Sequence, residues 1–540
     1  MFIGLNILNP YGMVFLGITR VKRGSATLEY ASIAERKIED NKQKTVTLKY
    51  LGRVRSNDDL ERYKRTVDEY RHAMKKFSIM DVKIGSTLSF GVFYASNAIM
   101  DRRGISTVLE KHMGNYSRIL SFMIISRLFR PSSDMDLLDL RGRVYCPWEM
   151  HLSEDNVYRA LDRLMSEKDD TEIDLFNALN PDTSMVHYDL TSSYFEGREN
   201  NDLVLFGYSR DRKRGKEQIV IGMVMADGIP IYHQVWPGNT VDPKTLESTI
   251  TVLKERFHVK NVIFVGDRAF GRDHSLKMLD KGKYITAAYR WDRPYRDVLM
   301  ETDFSDGIVM DDLVIKEVKI DASKIADEDT TEEEMDIMRK RRYIAVFNRN
   351  REGLDLRDID DRIEAVKRKI DEHPNMRDLK KSIGELKSFV EFTKYGTVLN
   401  EKHIGMMRRL AGRFMITTNT NLEVKDAVSA YKEQWEIERS FRTIKSFLEI
   451  RPVYHRKSER IEAHVLVCVL SLLLSRIMEK QTGRTIESIT RDLDYLDVVP
   501  IHVDDRLVFV SSDDSRASDI LKILGVPYPK IPELRRFRYM

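Results

Sequence analysis

The feature that most constrains the fold is an alternation of strand and helix patterns that begins near residue 184. The apolar stretches MVHYDL, QIVIGMVMA and IPIYHQVW predict three strands. Asp227–Gly228 joins the last two and predicts a tight antiparallel hairpin. Then follow a helix, a strand, a helix and a strand, at Pro243–Phe257, NVIFVGD, 272–281 and YITAAYR. This order predicts a mixed sheet covered by helices, an α/β architecture.

Two acids lie at the ends of strands in this sheet. The order of elements is that of the ribonuclease-H-like fold, in which the first and fourth strands are neighbours. Asp189 ends the first predicted strand and Asp267 ends the fourth, so both side chains are expected in one crevice. A single acid at the end of a strand can equally well be a cap for the next element. Two carboxylates in one crevice require a cation, and oxygen ligands suit Mg²⁺ or Mn²⁺.

A third acid, Glu438, lies in the helix-forming segment Tyr431–Lys457. At about 100° per residue the segment has a polar ridge, formed by Tyr431, Gln434, Glu438, Arg442 and Lys445. An apolar stripe runs beside it, formed by Ile437, Phe441, Ile444 and Leu448. On a surface helix, Glu438 would simply pair with Arg442, which stabilises a helix by about 0.2–0.5 kcal/mol. If the stripe packs on the sheet, Glu438 enters the crevice as a third carboxylate.

Two groups of cations near these acids in the sequence predict contacts with phosphate groups. One group lies in the loop SRDRKRGK, namely Arg210, Arg212, Lys213 and Arg214. Another follows the helix, namely Arg451, His455, Arg456 and Lys457. Each group has an alternative interpretation as an ordinary solvated surface. Trp435 is expected to pack in the core, and His464 is expected to be a core residue with satisfied hydrogen bonds.

Together these residues resemble the DDE transposases of bacterial and archaeal insertion sequences. The nearest branch carries Y-x2-R-x3-E-x6-K on its last helix, and Tyr431, Gln434, Glu438 and Lys445 have that spacing. Gln434 replaces the usual Arg, and the nearby Arg439 and Arg442 can supply the missing charge. The resemblance implies that five residues of this segment contact DNA, namely Tyr431, Gln434, Arg439, Arg442 and Lys445. The resemblance extends through YDLTSSYFEG and FVGDRAF and covers roughly residues 95–290 and 410–480.

The resemblance implies a function and its partners. Asp189, Asp267 and Glu438 would be the metal-binding triad of a ribonuclease-H-like core, with an insertion before the last acid. Two Mg²⁺ or Mn²⁺ ions would activate water or a 3′-hydroxyl and stabilise the leaving oxygen. The DNA partners would be terminal inverted repeats and target DNA, held by a homodimer or higher oligomer. A metal-dependent nuclease without strand transfer, and a domesticated DNA-binding protein without catalysis, remain as alternatives.

A chain of 540 residues is too long for one core. We expect five regions: a strand-rich segment, a helical DNA-binding accessory domain, the catalytic core, an insertion inside that core and a C-terminal segment. Their expected bounds are 1–57, 58–180, 181–290 with 412–480, 291–411 and 481–540. In the insertion, two helical arms are expected to pair around His373–Pro374–Asn375.

Composition excludes several classes of protein. Two distant cysteines, Cys146 and Cys468, exclude a disulfide scaffold and a CxxC zinc module. With 89 Lys and Arg against 85 acids, net charge by itself predicts no polyanion partner. The longest apolar run, Val465–Ser475, is about half of the roughly 20 residues of a membrane span. We therefore expect a buried core helix, no membrane partner and a cytoplasmic, nucleoid-associated protein.

Overall fold

The computed structural model describes the chain in two units. The first unit comprises Met1–Gly85, Pro500–Phe509 and Pro532–Met540, and the second comprises Ser86–Val499 and Val510–Ile531. The following residues lie outside the description: 1–13, 24–25, 40–41, 74–81, 134–135, 147, 196–200, 209–214, 260–261, 268–269, 272, 327, 329, 374, 395, 504–505, 513, 530–533 and 537–540.

The first unit contains a three-stranded antiparallel sheet with β2 in the centre. Its strands are β1 (Val14–Arg23), β2 (Ala26–Glu39) and β3 (Lys42–Val54). Helix α1 (Asn57–Ala73) follows, and its Tyr63 and Val67 are buried. The short strand β4 (Val82–Ile84) pairs with residues 501–503 of the same unit.

The second unit begins with helices, as the sequence predicts. Ser153 caps the helix at Glu154–Ser166, because its hydroxyl accepts the N–H of Asn156 at 3.3 Å. The elements in this part are β5 (Leu88–Ser89), α2 (Gly91–Arg102), α3 (Ile105–Met113), α4 (Ser117–Phe129), α5 (Asp136–Arg141), α6 (Glu154–Ser166) and α7 (Lys168–Leu179).

The predicted mixed sheet is confirmed. Its strands and helices are β6 (Met185–Tyr194), β7 (Leu205–Phe206), β8 (Glu217–Ala226), β9 (Ile229–Pro237), α8 (Asp242–Glu255), β10 (Ile263–Gly266), α9 (Asp273–Leu279) and β11 (Lys283–Ala288). The order β9–β8–β6–β10–β11 makes the first and fourth core strands neighbours, and these two run parallel. Asp227 and Gly228 turn the β8–β9 hairpin with φ of 51° and 73°, which only a few residue types adopt readily.

The sheet does not end at residue 291, where the sequence led us to expect a separate insertion. The next elements are α10 (Arg293–Glu301), β12 (Ile308–Met310), β13 (Leu313–Val318), α11 (Glu332–Arg339), β14 (Arg342–Asn348), α12 (Arg349–Glu372), α13 (Met376–Ser382), β15 (Val390–Thr393), β16 (Gly396–Leu399), α14 (Glu401–Arg409) and β17 (Arg413–Thr418). Strand β17 pairs with β11 on one side and β14 on the other, and β13 and β12 continue outward. The strands at 308–348 therefore extend the core sheet, because their apolar residues join its buried face.

The expected pairing of two arms in the insertion is present, but the second arm is not one helix. Ile359 and Val366 of α12 share a buried cluster with Leu379 and Ile383. After α13 the chain forms a 3₁₀ helix at Gly384–Phe389 and then β15. Gly384 adopts φ of 49°, a conformation that interrupts an α-helix.

The last part of the second unit holds α15 (Val424–Lys432), α16 (Gln434–Ser446), α17 (Ser458–Thr482), α18 (Ile486–Leu493) and α19 (Ser515–Ile523). The strands β18 (Asp497–Val503), β19 (Arg506–Ser511) and β20 (Leu534–Arg536) complete the chain. Helix α17 is long and apolar enough to cross a membrane by composition, yet 94% of its most apolar window is buried within the protein. The prediction of a buried core helix is confirmed.

Candidate active site

Asp189 and Asp267 occupy neighbouring positions on parallel strands. Gly266, the last residue of β10, lies beside Tyr188 of β6. The next residue on each strand is an aspartate, and side chains in register on parallel strands point to the same face. Adjacent strands lie about 4.8 Å apart. Both carboxylates are half-buried, so the two acids lie side by side at this edge of the β6–β10 ladder.

The position of Asp189 along its strand differs from the prediction. We expected Asp189 to end the first strand, but β6 continues to Tyr194 against β8. Only the pairing with β10 stops here, because β10 ends at Gly266. One oxygen of Asp189 accepts the N–H of Leu190 at 2.8 Å. The carbonyl of Asp267 accepts the Thr286 hydroxyl at 2.9 Å, which fixes the backbone at the second acid.

Helix α16 packs on the sheet beside these acids. The predicted apolar stripe is confirmed, since Ile437, Phe441 and Ile444 are all buried. The side-chain N–H of Gln434 donates to the carbonyl of Tyr188 at 3.0 Å, which ties the first turn of the helix to the residue before Asp189. Glu438 lies one turn further along the helix, on the ridge that contains Gln434.

Glu438 itself is exposed. Among the residues that the structure describes, no three His, Cys, Asp or Glu side chains are grouped closely enough to hold a metal ion. The expected entry of Glu438 into a three-carboxylate cluster is therefore not seen. The chemistry of the donor set fits a hard divalent cation, because Asp189 and Asp267 present oxygen ligands from adjacent backbone positions.

The residues predicted to contact DNA have different environments. Gln434 is 4% exposed and holds the Tyr188 carbonyl, so its assignment as a DNA contact is wrong. Tyr431 ends up on α15 rather than α16 and packs against Phe414, with ring centroids 6.0 Å apart. Arg439 forms an ion pair with Glu479 at 3.0 Å.

The remaining predicted contacts are more accessible. Arg442 is exposed and Lys445 is half-buried on α16. The four loop cations Arg210, Arg212, Lys213 and Arg214 lie outside the described residues.

The segment after α16 is only partly the basic surface we expected. Arg456 and Lys457 are exposed, but His455 is buried. The guanidinium of Arg451 lies 4.4 Å from the centre of the Tyr194 ring. Trp435 contradicts its prediction as well, because 56% of its surface is exposed.

Sequence reasoning missed His187, two residues before Asp189 on the same face of β6. Its Nε2–H donates to the carbonyl of Ala430 at 3.2 Å, and burial lowers its pKa. His187 is therefore neutral at pH 7 and links β6 to α15. The sequence did hold a signal for His187, because residues two apart on a strand share a face and His187 lies two residues before Asp189. A cavity of about 530 Å³ opens next to it, and Arg476 bridges Glu436 and Glu479 on its wall at 3.0 Å each.

His464 is a buried structural residue, as predicted. Its ring contacts the carbonyl of Ile450 at 3.0 Å and Arg127 at 3.4 Å. A second buried polar group was not predicted. In it, Glu172 of α7 contacts His233 of β9 at 2.8 Å and Lys168 at 2.7 Å.

Comparison with known proteins identifies a family for the region around this site. Residues 195–474 match the family described as "Transposase DDE domain". That range includes Asp267 and Glu438, and Asp189 lies just before it. No curated protein matches the sequence significantly.

Two solved structures are similar to the chain at low identity. One is a cryo-EM structure of the piggyBac transposase synaptic complex with hairpin DNA, with 10% identity, coverage of 70% of this chain and 69% of the other, and a TM-score of 0.34. The other is a Mos1 transposase paired-end complex with left transposon end, with 14% identity, coverage of 45% and 70%, and a TM-score of 0.15.

Proposed function

The chain belongs to the transposase DDE domain family, and from this premise we propose that it moves an insertion sequence by metal-dependent DNA cleavage and strand transfer. The observation that carries the proposal is the side-by-side placement of Asp189 and Asp267 where the β6–β10 ladder ends. Glu438 supplies the third carboxylate from a helix that is hydrogen-bonded to the residue before Asp189. Enzymes of this family cleave and join DNA strands.

The three carboxylates are proposed to hold divalent metal, Mg²⁺ or Mn²⁺, as two ions. Held by these carboxylates, the metal would lower the pKa of an attacking water or 3′-hydroxyl and would neutralise charge on the phosphodiester. Asp189 is fixed by its pairing with β8, and the backbone of Asp267 is held by the Thr286 hydroxyl, so both acids are positioned for this chemistry. Glu438 lies on the helix that Gln434 anchors to β6, and it is proposed to supply the third ligand from there. Arg442 and Lys445 on the same ridge are proposed to contact phosphates.

The substrates are proposed to be terminal inverted repeats and target DNA. A homodimer or higher oligomer would hold two ends together, and the protein would act at the nucleoid. Residues 209–214 add a dense run of cations that is proposed to contact the DNA backbone.

The direct experiment incubates purified protein with Mg²⁺ or Mn²⁺ and a duplex carrying the repeats that flank the coding sequence. Nicked 3′ ends and joined products are expected. Asp189→Asn, Asp267→Asn and Glu438→Gln should each abolish both products while DNA binding persists, because each removes an anionic ligand.

Glu433→Gln is the matched control, since Glu433 is also exposed and lies just before α16. It should cleave like the wild type. Full cleavage by Glu438→Gln would remove that residue from the site. Cleavage without joined products would favour a nuclease over a transposase.

A further inference from the structure

The three-stranded sheet of the first unit has one face covered by α1. Ile33 in the central strand is fully buried, and Tyr63 and Val67 on the helix are also buried. A side chain at Gly52 of β3 would meet the Tyr63 hydroxyl at 2.5 Å. Ile33 and Gly52 therefore belong to the face that packs against α1.

Alternate residues form the opposite face, and part of that face is open. Thr19, Tyr30 and Arg53 lie directly opposite one another across β1, β2 and β3. Thr19 and Arg53 are exposed. In the next row Tyr50 is 61% exposed, and its ring centroid lies 6.1 Å from that of Tyr30. We call these four residues the open sheet face.

Charge is distributed unevenly along the chain. Residues 1–85 contain 17 Lys and Arg against 10 Asp and Glu. The whole chain contains 89 against 85, which leaves 72 against 75 for the remainder. The basic surplus is therefore concentrated in the segment that forms the sheet, and a polyanion is the partner that this charge favours.

Helix α6, in the helical region that we expected to bind DNA, is less suited to contact phosphates. The cations of α6 pair with acids: Arg159 contacts Asp155 at 2.8 Å and Arg163 contacts Glu167 at 3.0 Å. The apolar side of this helix is buried in the core. Helix α6 thus offers few unengaged cations to phosphates.

The shape of the sheet agrees with this partner. Adjacent strands lie about 4.8 Å apart, and the major groove of B-DNA, about 12 Å wide, admits two strands side by side. Protein strands can enter this groove and contact base edges. Guanidinium, hydroxyl and phenol groups are the donors that such contacts use.

We propose that the open sheet face, Thr19, Tyr30, Tyr50 and Arg53, binds duplex DNA at the end of the mobile element. This inference rests on the proposed transposase function and adds to it the surface that recognises the end. Arg53 contacts a base edge or phosphate, and the two tyrosines pack against the sugar and backbone beside it. The lysines and arginines of the three strands supply the long-range attraction.

Binding of a fluorescein-labelled duplex carrying the terminal repeat, measured by anisotropy with the full chain, tests the proposal. Arg53→Ala and Tyr50→Ala should each weaken binding about tenfold. In Arg53→Ala the slope of log affinity against log salt concentration should also become shallower by about one, the contribution of a single phosphate contact. Lys64→Ala is the matched control, because Lys64 lies on α1 in the same unit and pairs with Glu61 at 2.8 Å. It should bind like the wild type.

The same variants are then assayed for cleavage at saturating DNA, where turnover should be unchanged. Wild-type affinity in both Arg53→Ala and Tyr50→Ala would overturn the inference while leaving the transposase function intact if those variants cleave. If these variants change the oligomeric state and leave the DNA affinity unaltered, the open sheet face binds a second copy of the chain. That result would also overturn the inference. A wild-type protein that binds DNA but cleaves none would refute the proposed function and leave this inference standing.

Discussion

At the scale of single residues, Gln434 shows that a position in a functional signature can serve the fold. The signature that the sequence resembles has an arginine there, which suggested a phosphate contact. In this protein the side chain is buried and donates to the backbone of Tyr188, next to the first acid. Its effect on the active site is therefore indirect, because it sets where α16 begins relative to β6.

We predict that Gln434→Ala lowers the free energy of unfolding by about 1–2 kcal/mol, since it leaves the Tyr188 carbonyl without this donor. DNA affinity should stay unchanged. Arg442→Ala is the counterpart, because Arg442 is exposed on the same helix. It should change stability by less than about 0.5 kcal/mol and weaken DNA binding. Urea unfolding measures stability, and fluorescence anisotropy measures DNA affinity. Weaker DNA binding with unchanged stability in Gln434→Ala would show that Gln434 contacts DNA after all.

At the scale of elements, the β8–β9 hairpin shows what local sequence determines. Gly228 adopts φ of 73°, and a Cβ there would lie 3.3 Å from the carboxylate of Glu436. Gly228→Ala should therefore cost about 1–2 kcal/mol of stability. Gly353→Ala in α12 should instead add about 0.5–1 kcal/mol, because no described atom lies within 4 Å of its Cβ position. Thermal unfolding of both variants checks the contrast, and equal midpoints would contradict it.

The same contrast explains what the sequence could predict. Asp227–Gly228 specifies its turn through local backbone preferences, and the stripe of Ile437 and Phe441 specifies which side of α16 packs. The path of the chain after Gly384 depended on tertiary contacts with α12, so periodicity alone wrongly predicted a helix there. The addition of the strands at 308–348 to the sheet depended on pairing with β17, which no local pattern encodes.

The candidate site was predictable to a similar degree. The adjacency of Asp189 and Asp267 followed from strand order. The exposure of Glu438 and Trp435 could not be predicted from the sequence. A helical wheel gives the direction of a side chain around the helix axis, but it does not show which other elements cover that side. The break between α15 and α16 at Glu433, which separates Tyr431 from Gln434, was equally invisible in the spacing.

At the scale of the whole molecule, the buried group of Glu172, His233 and Lys168 makes stability depend on pH. Burial, and then the charge of Lys168, lowers the pKa of His233 below its ordinary 6.5. Burial acts to raise the pKa of Glu172, but Lys168 and His233 outweigh it and the pKa is lowered. Both groups therefore bind protons more readily in the unfolded chain.

We predict that the free energy of unfolding falls as the pH drops below about 6.5, since the unfolded chain takes up a proton that folded His233 excludes. The contribution of Glu172 is present above its ordinary 4.5 and is lost at lower pH. Urea unfolding between about pH 8 and pH 5 measures the slope. His233→Asn should reduce it and His151→Asn, at an exposed site, should not. If the pH dependence of the unfolding free energy is the same in His233→Asn as in the wild type, other titrating groups cause it.

Metal binding should also act on the whole fold. If Mn²⁺ binds only the folded protein, a concentration of about 100 times its dissociation constant adds about 2.7 kcal/mol of stability. Thermal unfolding should show this increase in the wild type and lose it in Asp267→Asn. Asp426→Asn removes an exposed acid on α15 and should keep it. An equal increase in all three proteins would place the metal away from Asp267.

The position of β17 has a consequence for the order of events during synthesis. This strand enters the sheet between β11 and β14, so Ile285 pairs with Thr418, far along the chain. The ribosome releases β6 and β10 long before β17, and pairing between distant segments is slow. A nascent chain can thus bring its two aspartates together early, whereas Glu438 leaves the ribosome after β17, so the proposed metal site becomes complete only late in translation.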